Sequence, residues 1–148
     1  MGIRMTGFKE HEAANANRLK KTRDQTKIMG RFSAEYITSI SPKRFRQKKT
    51  PEGKPWDDIE EKTRRGYARK YNNVIPGDLL RRSGHLMKSI SRKVTKHGFS
   101  IFTNVVYAAT HQFGRGGIKA RKFLGFDKAT RARWAKAQEK WLASGEKP

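Results

Sequence analysis

Residues 107–114 read YAATHQFG, and residues 121–126 read RKFLGF after a basic, glycine-rich loop. Small residues, a polar cluster and aromatic turns interrupted by glycine lie close together here, in a chain otherwise dominated by lysine and arginine. The residues from Val105 onward predict a short helix, or a bent passage from strand to helix. It ends at Gly114, because glycine readily adopts the left-handed conformation that follows a helix. This density of special residues indicates a site or an interface.

His111 is the candidate general base or metal ligand of this segment. No acidic residue lies between Leu79 and Phe126, and the chain has no cysteine. Both facts weigh against a metal site or an acid–base pair around His111. We therefore expect His111 and Gln112 to be partly buried groups that form hydrogen bonds, because a polar side chain near a core needs a partner.

The composition is that of a small, strongly basic protein. Its 148 residues fit one domain with one modest core. The 35 Lys and Arg residues outnumber the 13 Asp and Glu residues and give a formal net charge of +22. So strong a positive field attracts polyanions, either nucleic acid or an acidic protein surface. The absence of cysteine excludes disulfides, thiolate metal ligands and cysteine nucleophiles.

Neither a membrane span nor a signal peptide is expected. No apolar run in the sequence approaches the roughly 18 residues that a spanning helix needs. The first 22 residues lack the uninterrupted apolar core of a signal peptide. We therefore expect the protein in the cytoplasm of the cell that makes it.

The chain divides into a loose arm over residues 1–14, a single folded domain over 15–143 and a flexible tail over 144–148. Apolar residues recur at steps of three and four from Ala14 to near Pro42, which predicts one long N-terminal helix. The opposite face of that helix is basic. Such a face suits a contact with nucleic acid and equally an ordinary solvated surface.

A turn and a second helix follow in the sequence. Prolines on both sides of Gly53 predict a tight turn, which Trp56 anchors to the core. Asp57 is predicted to cap the next helix, and the acidic residues at 57–61 suit the start of a helix electrostatically. A metal site for phosphoryl chemistry is the alternative. The predicted buried stripe of this helix comprises Ile59, Thr63, Tyr67 and Tyr71.

The clearest strand signal follows a short helix that Ser83 is expected to cap. Residues 90–96 and 99–104 are two extended runs on either side of a glycine turn. Alternation in the second run is broken by Phe102, which predicts cover on both faces of that strand. We therefore expect a small antiparallel sheet here.

The last part of the chain predicts one more strand and one more helix. Residues 123–126 suggest a short strand, and Asp127 is predicted to cap the final helix. The apolar stripe of that helix comprises Trp134, Ala137 and Trp141 or Leu142. Together these elements predict an α+β fold, in which a small antiparallel sheet packs against a long N-terminal helix, with further short helices and a C-terminal helix.

The placement of charge is as informative as its sum. Between Leu79 and Phe126 the chain has ten Lys and Arg residues and no acidic residue. Such a stretch predicts a surface that faces the nucleic-acid backbone or an acidic neighbour in an assembly. The candidate contact residues are Arg81, Arg82, Arg92, Lys93, Arg115, Lys119, Arg121 and Lys122.

No catalytic constellation is visible in the sequence. It contains no phosphate-binding Gly-rich loop ending in Lys-Ser or Lys-Thr, no His-Glu-x-x-His and no Gly-x-Ser-x-Gly. The histidines at 11, 85, 97 and 111 do not have the spacing of metal ligands. We therefore expect no enzyme activity, no metal and no cofactor.

The order of these unusual segments resembles the virion morphogenesis, or tail completion, family of tailed bacteriophages, including its Mu-like members. The resemblance covers roughly residues 28–142. The motif residues that carry it, and that it assigns to packing, are Pro51, Gly53, Pro55, Trp56, Gly84, Leu86, Tyr107, Ala108, His111, Gln112, Phe113, Gly114, Phe123, Leu124 and Gly125.

The resemblance implies a small α+β structural protein that acts late in virion assembly. Such a protein completes the tail, or makes it competent to join a filled head, as a homo-oligomeric ring at the neck of the virion. Its implied partners are other neck and tail proteins and, through the basic stretch, packaged DNA, with no membrane involved. It would be made in the host cytoplasm and end in the virion.

Two other classes of function remain as alternatives. A free-standing nucleic-acid-binding protein would explain the charge, although the sequence has no recognised groove-reading or stacking motif. A nuclease that uses His111 and the acidic residues at 57–61 would need these groups to converge from separate elements.

Overall fold

The computed structural model of the chain describes residues 8–70, 79–80 and 83–144, with side chains from residue 14 onward. The elements in these ranges are α1 (Phe8–Arg23), α2 (Thr26–Glu35), a π-helical turn (Tyr36–Ile40), α3 (Ser41–Gln47), α4 (Glu61–Lys70), α5 (His85–Lys88), β1 (Ser91–Thr95), β2 (Gly98–Phe102), α6 (Ala108–Phe113) and α7 (Lys128–Ala143). Helices combined with an antiparallel pair of strands confirm the α+β class. None of the helices in these ranges has the length and apolar character needed to cross a membrane.

The predicted single N-terminal helix is wrong in detail, because the segment is broken near its start. Asp24 Oδ1 accepts a hydrogen bond from Thr26 N at 3.0 Å, which begins α2 anew. Gln25 N donates to Lys96 O at 2.8 Å and so leaves the helical hydrogen-bond pattern. α1 itself begins at Phe8, inside the segment predicted as a loose arm; residues 1–7 lie outside the described ranges.

The helical segment also continues past its predicted end at Pro42. Pro42 lies in the first turn of α3, where its missing N–H is not needed. The widened π-helical turn just before it shifts the hydrogen-bonding pattern ahead of the proline. α3 ends at Lys48, which adopts the left-handed conformation with φ of 53°.

The core lies between α2 and α3 on one side and the C-terminal third of the chain on the other. The Phe32 ring stacks on Trp134 with 5.1 Å between centroids, and Phe45 contacts Trp56 and Phe123 at 5.6 and 5.7 Å. Each fully buried side chain of this size stabilises the fold by about 1.5–3 kcal/mol. The buried apolar residues are Ile28, Met29, Phe32, Tyr36, Phe45, Trp56, Leu86, Ile90, Ala108, Phe123, Trp134 and Trp141.

The predicted hairpin is confirmed, and its inner face covers α2. β1 pairs antiparallel with β2, with Val94 opposite Phe99 and Arg92 opposite Ile101. The apolar members of these pairs pack against the core. Phe102 is 46% exposed, so the predicted cover on both faces of β2 is wrong.

The helix predicted to begin at Asp57 begins four residues later, at Glu61. The Arg121 guanidinium donates hydrogen bonds to the carbonyl oxygens of Asp57 and Asp58, at 2.7 and 2.8 Å. These carbonyls are therefore not used in helical hydrogen bonds, and the two residues lie outside the helix. The predicted buried stripe is also wrong, because α4 has no buried residue and Thr63 is exposed. Tyr71 lies outside the described ranges.

The short helix before the sheet starts at a glycine rather than at the predicted serine cap. Gly84 occupies the N-cap position with φ of 69°, where glycine avoids the strain of a left-handed backbone. Ser83 Oγ accepts a hydrogen bond from His85 N at 3.3 Å, so it supports the turn from one residue further out. Leu86, inside the helix, is 2% exposed and anchors this segment to the core.

The final helix confirms its predicted cap and stripe. Asp127 Oδ1 accepts from Thr130 N at 2.7 Å, and Trp134 and Trp141 are buried. Residues 123–126 are not a strand, since their backbone groups bond to side chains of other elements, as described below.

A buried lysine joins the first and last helices. Lys21 is 0% exposed, and its Nζ donates to Trp141 O and Ser144 O at 2.8 and 2.7 Å. The ammonium also lies 5.0 Å from the centroid of the Trp141 ring. A cation at these last carbonyls of α7 complements the negative end of the helix dipole. Ser144, placed in the predicted flexible tail, is thus part of this contact; residues 145–148 lie outside the described ranges.

Candidate functional site

The motif at residues 121–126 is bound by a buried arginine of α3. Arg44 is 6% exposed, and its Nη1 lies 3.0 Å from Phe123 O and 2.9 Å from Gly125 O. The same nitrogen donates to Tyr36 Oη at 3.1 Å, and that hydroxyl accepts from Gly125 N at 3.2 Å. The Arg44 guanidinium and the Tyr36 hydroxyl therefore form hydrogen bonds with the backbone of Phe123 and Gly125, which was predicted to belong to a strand.

Gln112 bonds to the same backbone from the other side. Its Oε1 accepts from Phe123 N and Leu124 N, both at 3.0 Å, and its Nε2 donates to Leu124 O at 3.0 Å. The predicted hydrogen-bonding role of Gln112 is thereby confirmed. We call the group formed by Tyr36, Arg44, Gln112 and the backbone of residues 123–125 the polar framework.

The proline-rich turn, residues 51–56, packs against the polar framework. Trp56 Nε1 donates to Lys122 O at 3.0 Å, and Gly53 makes the turn with φ of 85°. Pro51 lies so close to Gly125 that a Cβ there would come within 2.7 Å of the proline Cγ. Only glycine fits at this contact. Of the turn residues predicted to pack, Pro51 and Trp56 are buried, whereas Gly53 and Pro55 are exposed.

The predicted hydrogen bond of the His111 side chain is not formed at its Nδ1. This atom is buried and has no partner among the residues that the structure describes, and the Tyr107 ring lies edge-on at 5.8 Å. Loss of solvent, reinforced by the positive charge of Arg121, lowers the pKa of His111 below its usual 6.5. The imidazole is therefore neutral at pH 7. Its backbone has a firmer role, since His111 O accepts from Arg121 N at 2.6 Å.

The groups needed for a nuclease do not form a site. The carboxylate of Asp58 is paired with Arg64, and Glu61 is paired with Arg64 and Arg65. Within the described ranges no three His, Asp or Glu side chains are placed to hold a metal ion. Asp58 and Glu61 thus form ion pairs around the start of α4.

A polar groove of about 450 Å³ lies between α3, the turn at residues 49–53 and the start of α7. Glu35 and Arg133 form an ion pair across it, and Glu35 Oε2 also accepts from Trp134 Nε1 at 2.9 Å. The hydrogen bond from Arg133 is the main cause that lowers the pKa of Glu35 from 4.5. The opposed charges of the groove thus stabilise the contact of α2 with α7.

The sequence profile of the phage virion morphogenesis family matches residues 9–143 of this chain. The matched segment runs from α1 to the end of α7 and includes the whole polar framework.

The chain belongs to the phage virion morphogenesis family. The resemblance predicted from its motifs is confirmed. Membership establishes a role in assembly of the phage particle, in a family of structural proteins, and associates the chain with the virion. No curated protein and no solved structure matches the chain.

The residues of the family motifs differ in their exposure to solvent. Ala108, Gln112, Phe123 and Leu86 face inward, whereas Phe113 is 76% exposed and Tyr107 is 44% exposed. The same YAATHQFG segment therefore has a face that holds the fold and a face that meets solvent.

The predicted contact cations also divide into groups. Arg121 is 6% exposed and is committed to Asp57 and Asp58, so the expectation that it meets a partner is wrong. Arg92 is exposed but donates to Gly30 O and Ser33 Oγ, both at 2.8 Å. The remaining described candidates are exposed, namely Lys93, Arg115, Lys119 and Lys122. Arg81 and Arg82 lie outside the described ranges.

Arg44, which organises the site of this morphogenesis protein, was not predicted from the sequence. A signal was present, because Ile37, Ile40 and Arg44 follow the three- and four-residue steps of the buried face. A cation at such a position needs buried acceptors. These acceptors are carbonyls 79 and 81 positions away, so they cannot be identified from the sequence around Arg44.

Proposed function

We propose that this chain is a structural protein of tail completion and head–tail joining, present in several copies at the neck of the virion. The observation that carries the proposal is the family match over residues 9–143. The finer role comes from the resemblance to tail completion proteins in the segments 51–56, 107–114 and 121–125.

The arrangement of the motif residues supports a structural role. The Gln112 amide and the Trp56 N–H are used within the chain, in the polar framework and in the contact with Lys122 O. Rigid placement of a surface is what an assembly protein requires, because ordering at an interface costs binding free energy that a preformed surface avoids.

Electron microscopy of lysates tests the proposal. Only this gene is inactivated in the phage or prophage, and joined and unjoined particles are counted. We expect DNA-filled heads beside separate tails, and restoration of joined particles when the gene is supplied from a plasmid. Normal numbers of joined particles without the gene would overturn the proposed role.

Nucleic-acid binding is the second candidate function, and the charge distribution favours it. Lys93, Arg115, Lys119 and Lys122 are exposed, and the sequence from 79 to 126 contains no acid to offset them. Packaged DNA passing through the neck would be the partner. A comparison of charge variants, given in the Discussion, separates a dedicated DNA surface from the diffuse attraction of a basic protein.

A further inference from the structure

The outer face of α6 is apolar and is not covered by any part of the chain in the described ranges. Val106 is 95% exposed, Phe113 is 76% exposed, and Ile118 in the following turn is 43% exposed. Ala109 is exposed between them. We call these four residues the α6 patch. Contiguous apolar surface on a soluble protein marks a contact site more often than scattered apolar residues do.

Helix geometry aligns the members of the α6 patch. Tyr107, the N-cap of α6, has φ and ψ of −78° and −4°, and Ala108 N bonds to Val105 O at 3.0 Å, so Val106 lies in a hydrogen-bonded turn that leads into the helix. Val106, Ala109 and Phe113 are then spaced three and four residues apart, which places them on one side of the helix. The other side carries Gln112 toward the polar framework.

The patch is rigidly presented. Gln112 fixes the inner side of α6, and Arg121 N binds His111 O at 2.6 Å. After Gly114 the chain folds back, with paired hydrogen bonds between Arg115 and Ile118 of 3.2 and 3.0 Å. Ile118 is therefore held beside the end of the helix. A surface fixed in this way loses little conformational freedom when a partner binds.

The charges around the patch select its occupant. Arg115 and Lys119 belong to the same turn as Ile118, and both are exposed, as is Lys122. The sequence from 79 to 126 has no acid beside Arg115 and Lys119, whereas Lys122 lies near Glu52, whose pKa is lowered by a hydrogen bond from Thr50 and also by the Lys122 charge. An apolar group surrounded by carboxylates would match both the apolar centre and the positive rim, since complementary potentials favour association.

A second copy of this chain fits the patch poorly. A two-fold contact would bring the cations at Arg115 and Lys119 of both copies together, and like charges in an interface disfavour it. The acidic cluster at the start of α4 is a weak alternative, because two of its four acids, Asp58 and Glu61, are already paired with Arg64 and Arg65.

We propose that the α6 patch docks a different virion protein, through a segment in which an apolar side chain is flanked by acidic residues. This proposal rests on the proposed function, because it names the kind of partner that the assembly role requires.

Photo-cross-linking in phage-producing cells identifies the occupant. The full-length protein carries p-benzoylphenylalanine in place of Phe113, and a control carries it in place of Leu19, which is 61% exposed on α1. We expect position 113, but not 19, to cross-link to a peptide of another virion protein that contains Asp or Glu beside an apolar residue. A cross-link to a second copy of the chain, to DNA or to a peptide without acids would overturn the proposal, and so would the absence of any adduct.

Complementation provides the second measurement. Phe113→Ser and Val106→Ser should lower the yield of joined particles about tenfold or more, as loss of an interface anchor does, while Leu19→Ser keeps the wild-type yield. Unchanged thermal unfolding of the purified variants excludes misfolding. If loss of the gene blocks joining but Phe113→Ser restores it fully, the patch proposal fails alone. If loss of the gene has no effect, the proposed function fails.

Discussion

At the scale of single residues, the contact between Gly125 and Pro51 locks the motif segments together. Gly125 has φ of 143°, and a Cβ there would lie 2.7 Å from Pro51 Cγ. We expect Gly125→Ala to lower the free energy of unfolding by about 2–4 kcal/mol, from backbone strain and from overpacking. Chemical denaturation measures the loss.

Two further variants separate the causes of that loss. Gly117→Ala introduces the same methyl at φ of 80°, where nothing lies within 4 Å, so it should cost only about 1–2 kcal/mol. Pro51→Ala removes Cγ and should reduce the penalty of Gly125→Ala measured in that background. An undiminished penalty would mean that the proline ring is not the obstacle.

His111 should make the stability depend on pH in the neutral range. Its pKa is lowered below 6.5 in the folded protein by desolvation and by Arg121. The unfolded chain therefore takes up a proton at His111 first, so stability is highest above pH 6.5 and falls as the pH decreases toward the folded pKa.

The control for this effect is another histidine. Unfolding free energies measured from pH 7.5 to 5.5 should fall less for His111→Gln than for the wild type, whereas His85→Gln, an exposed site, should follow the wild-type profile. The lowered pKa values of Glu35 and Asp127 act at lower pH, since their usual values are 4.5 and 3.8. Parallel profiles for all three proteins would contradict the assignment.

The sequence predicted individual side chains best where the partner is local. The Asp127 cap needs only Thr130, three residues on, and the rule for helix starts finds it. Arg121 was predicted to be an exposed cation, because the carbonyls that accept its hydrogen bonds belong to the distant residues 57 and 58. Its neighbours Lys122 and Lys119 have the same local sequence character and are exposed.

At the scale of elements, α2 and α4 differ in how they are supported. α2 buries Ile28, Met29 and Phe32, whereas α4 has no buried residue. Each helix contains one glycine, Gly30 or Gly66, where an added Cβ meets nothing within 4 Å. The two helices therefore form a matched pair for the same substitution.

Gly30→Ala should raise the global free energy of unfolding by about 0.5–1 kcal/mol, because alanine has the higher helix propensity. Gly66→Ala should leave the global value unchanged and instead slow hydrogen exchange of the α4 amides, since a helix without buried contacts opens by itself. Equal gains in global stability would show that α4 unfolds together with the core.

Element types were more predictable than element boundaries. The hairpin and the last helix have clear periodicity and turn residues, and both are confirmed. The interruption at Gln25 depends on Lys96 O, and the late start of α4 depends on Arg121. A sequence pattern records what a segment can form alone, so it does not register a carbonyl taken by a distant residue.

At the scale of the whole molecule, the net charge of +22 makes some attraction to DNA inevitable. We compare two triple variants with equal loss of charge. One is Arg115→Gln, Lys119→Gln, Lys122→Gln beside the α6 patch; the other is Arg18→Gln, Lys20→Gln, Arg23→Gln on α1. Arg121 is left intact because it is structural.

Fluorescence anisotropy with duplex DNA across a salt series measures the slope of log affinity against log salt. Both variants should lower its magnitude by a similar amount, up to about three, because diffuse attraction counts charges wherever they lie. A much larger decrease of the slope for the triple variant beside the α6 patch would instead support the nucleic-acid candidate function and a DNA path along that surface.

Long-range polar contacts join the N-terminal helices to residues 123–141, since Arg44 meets Phe123, Glu35 meets Trp134 and Lys21 meets Trp141 across 79, 99 and 120 positions. During translation the apolar faces of α2 and α3 leave the ribosome long before their partners exist. The core then closes only after α7 has been translated, and until then each copy exposes apolar surface that favours aggregation. A ribosome that stops short of α7 releases a product with no means of covering its own interior.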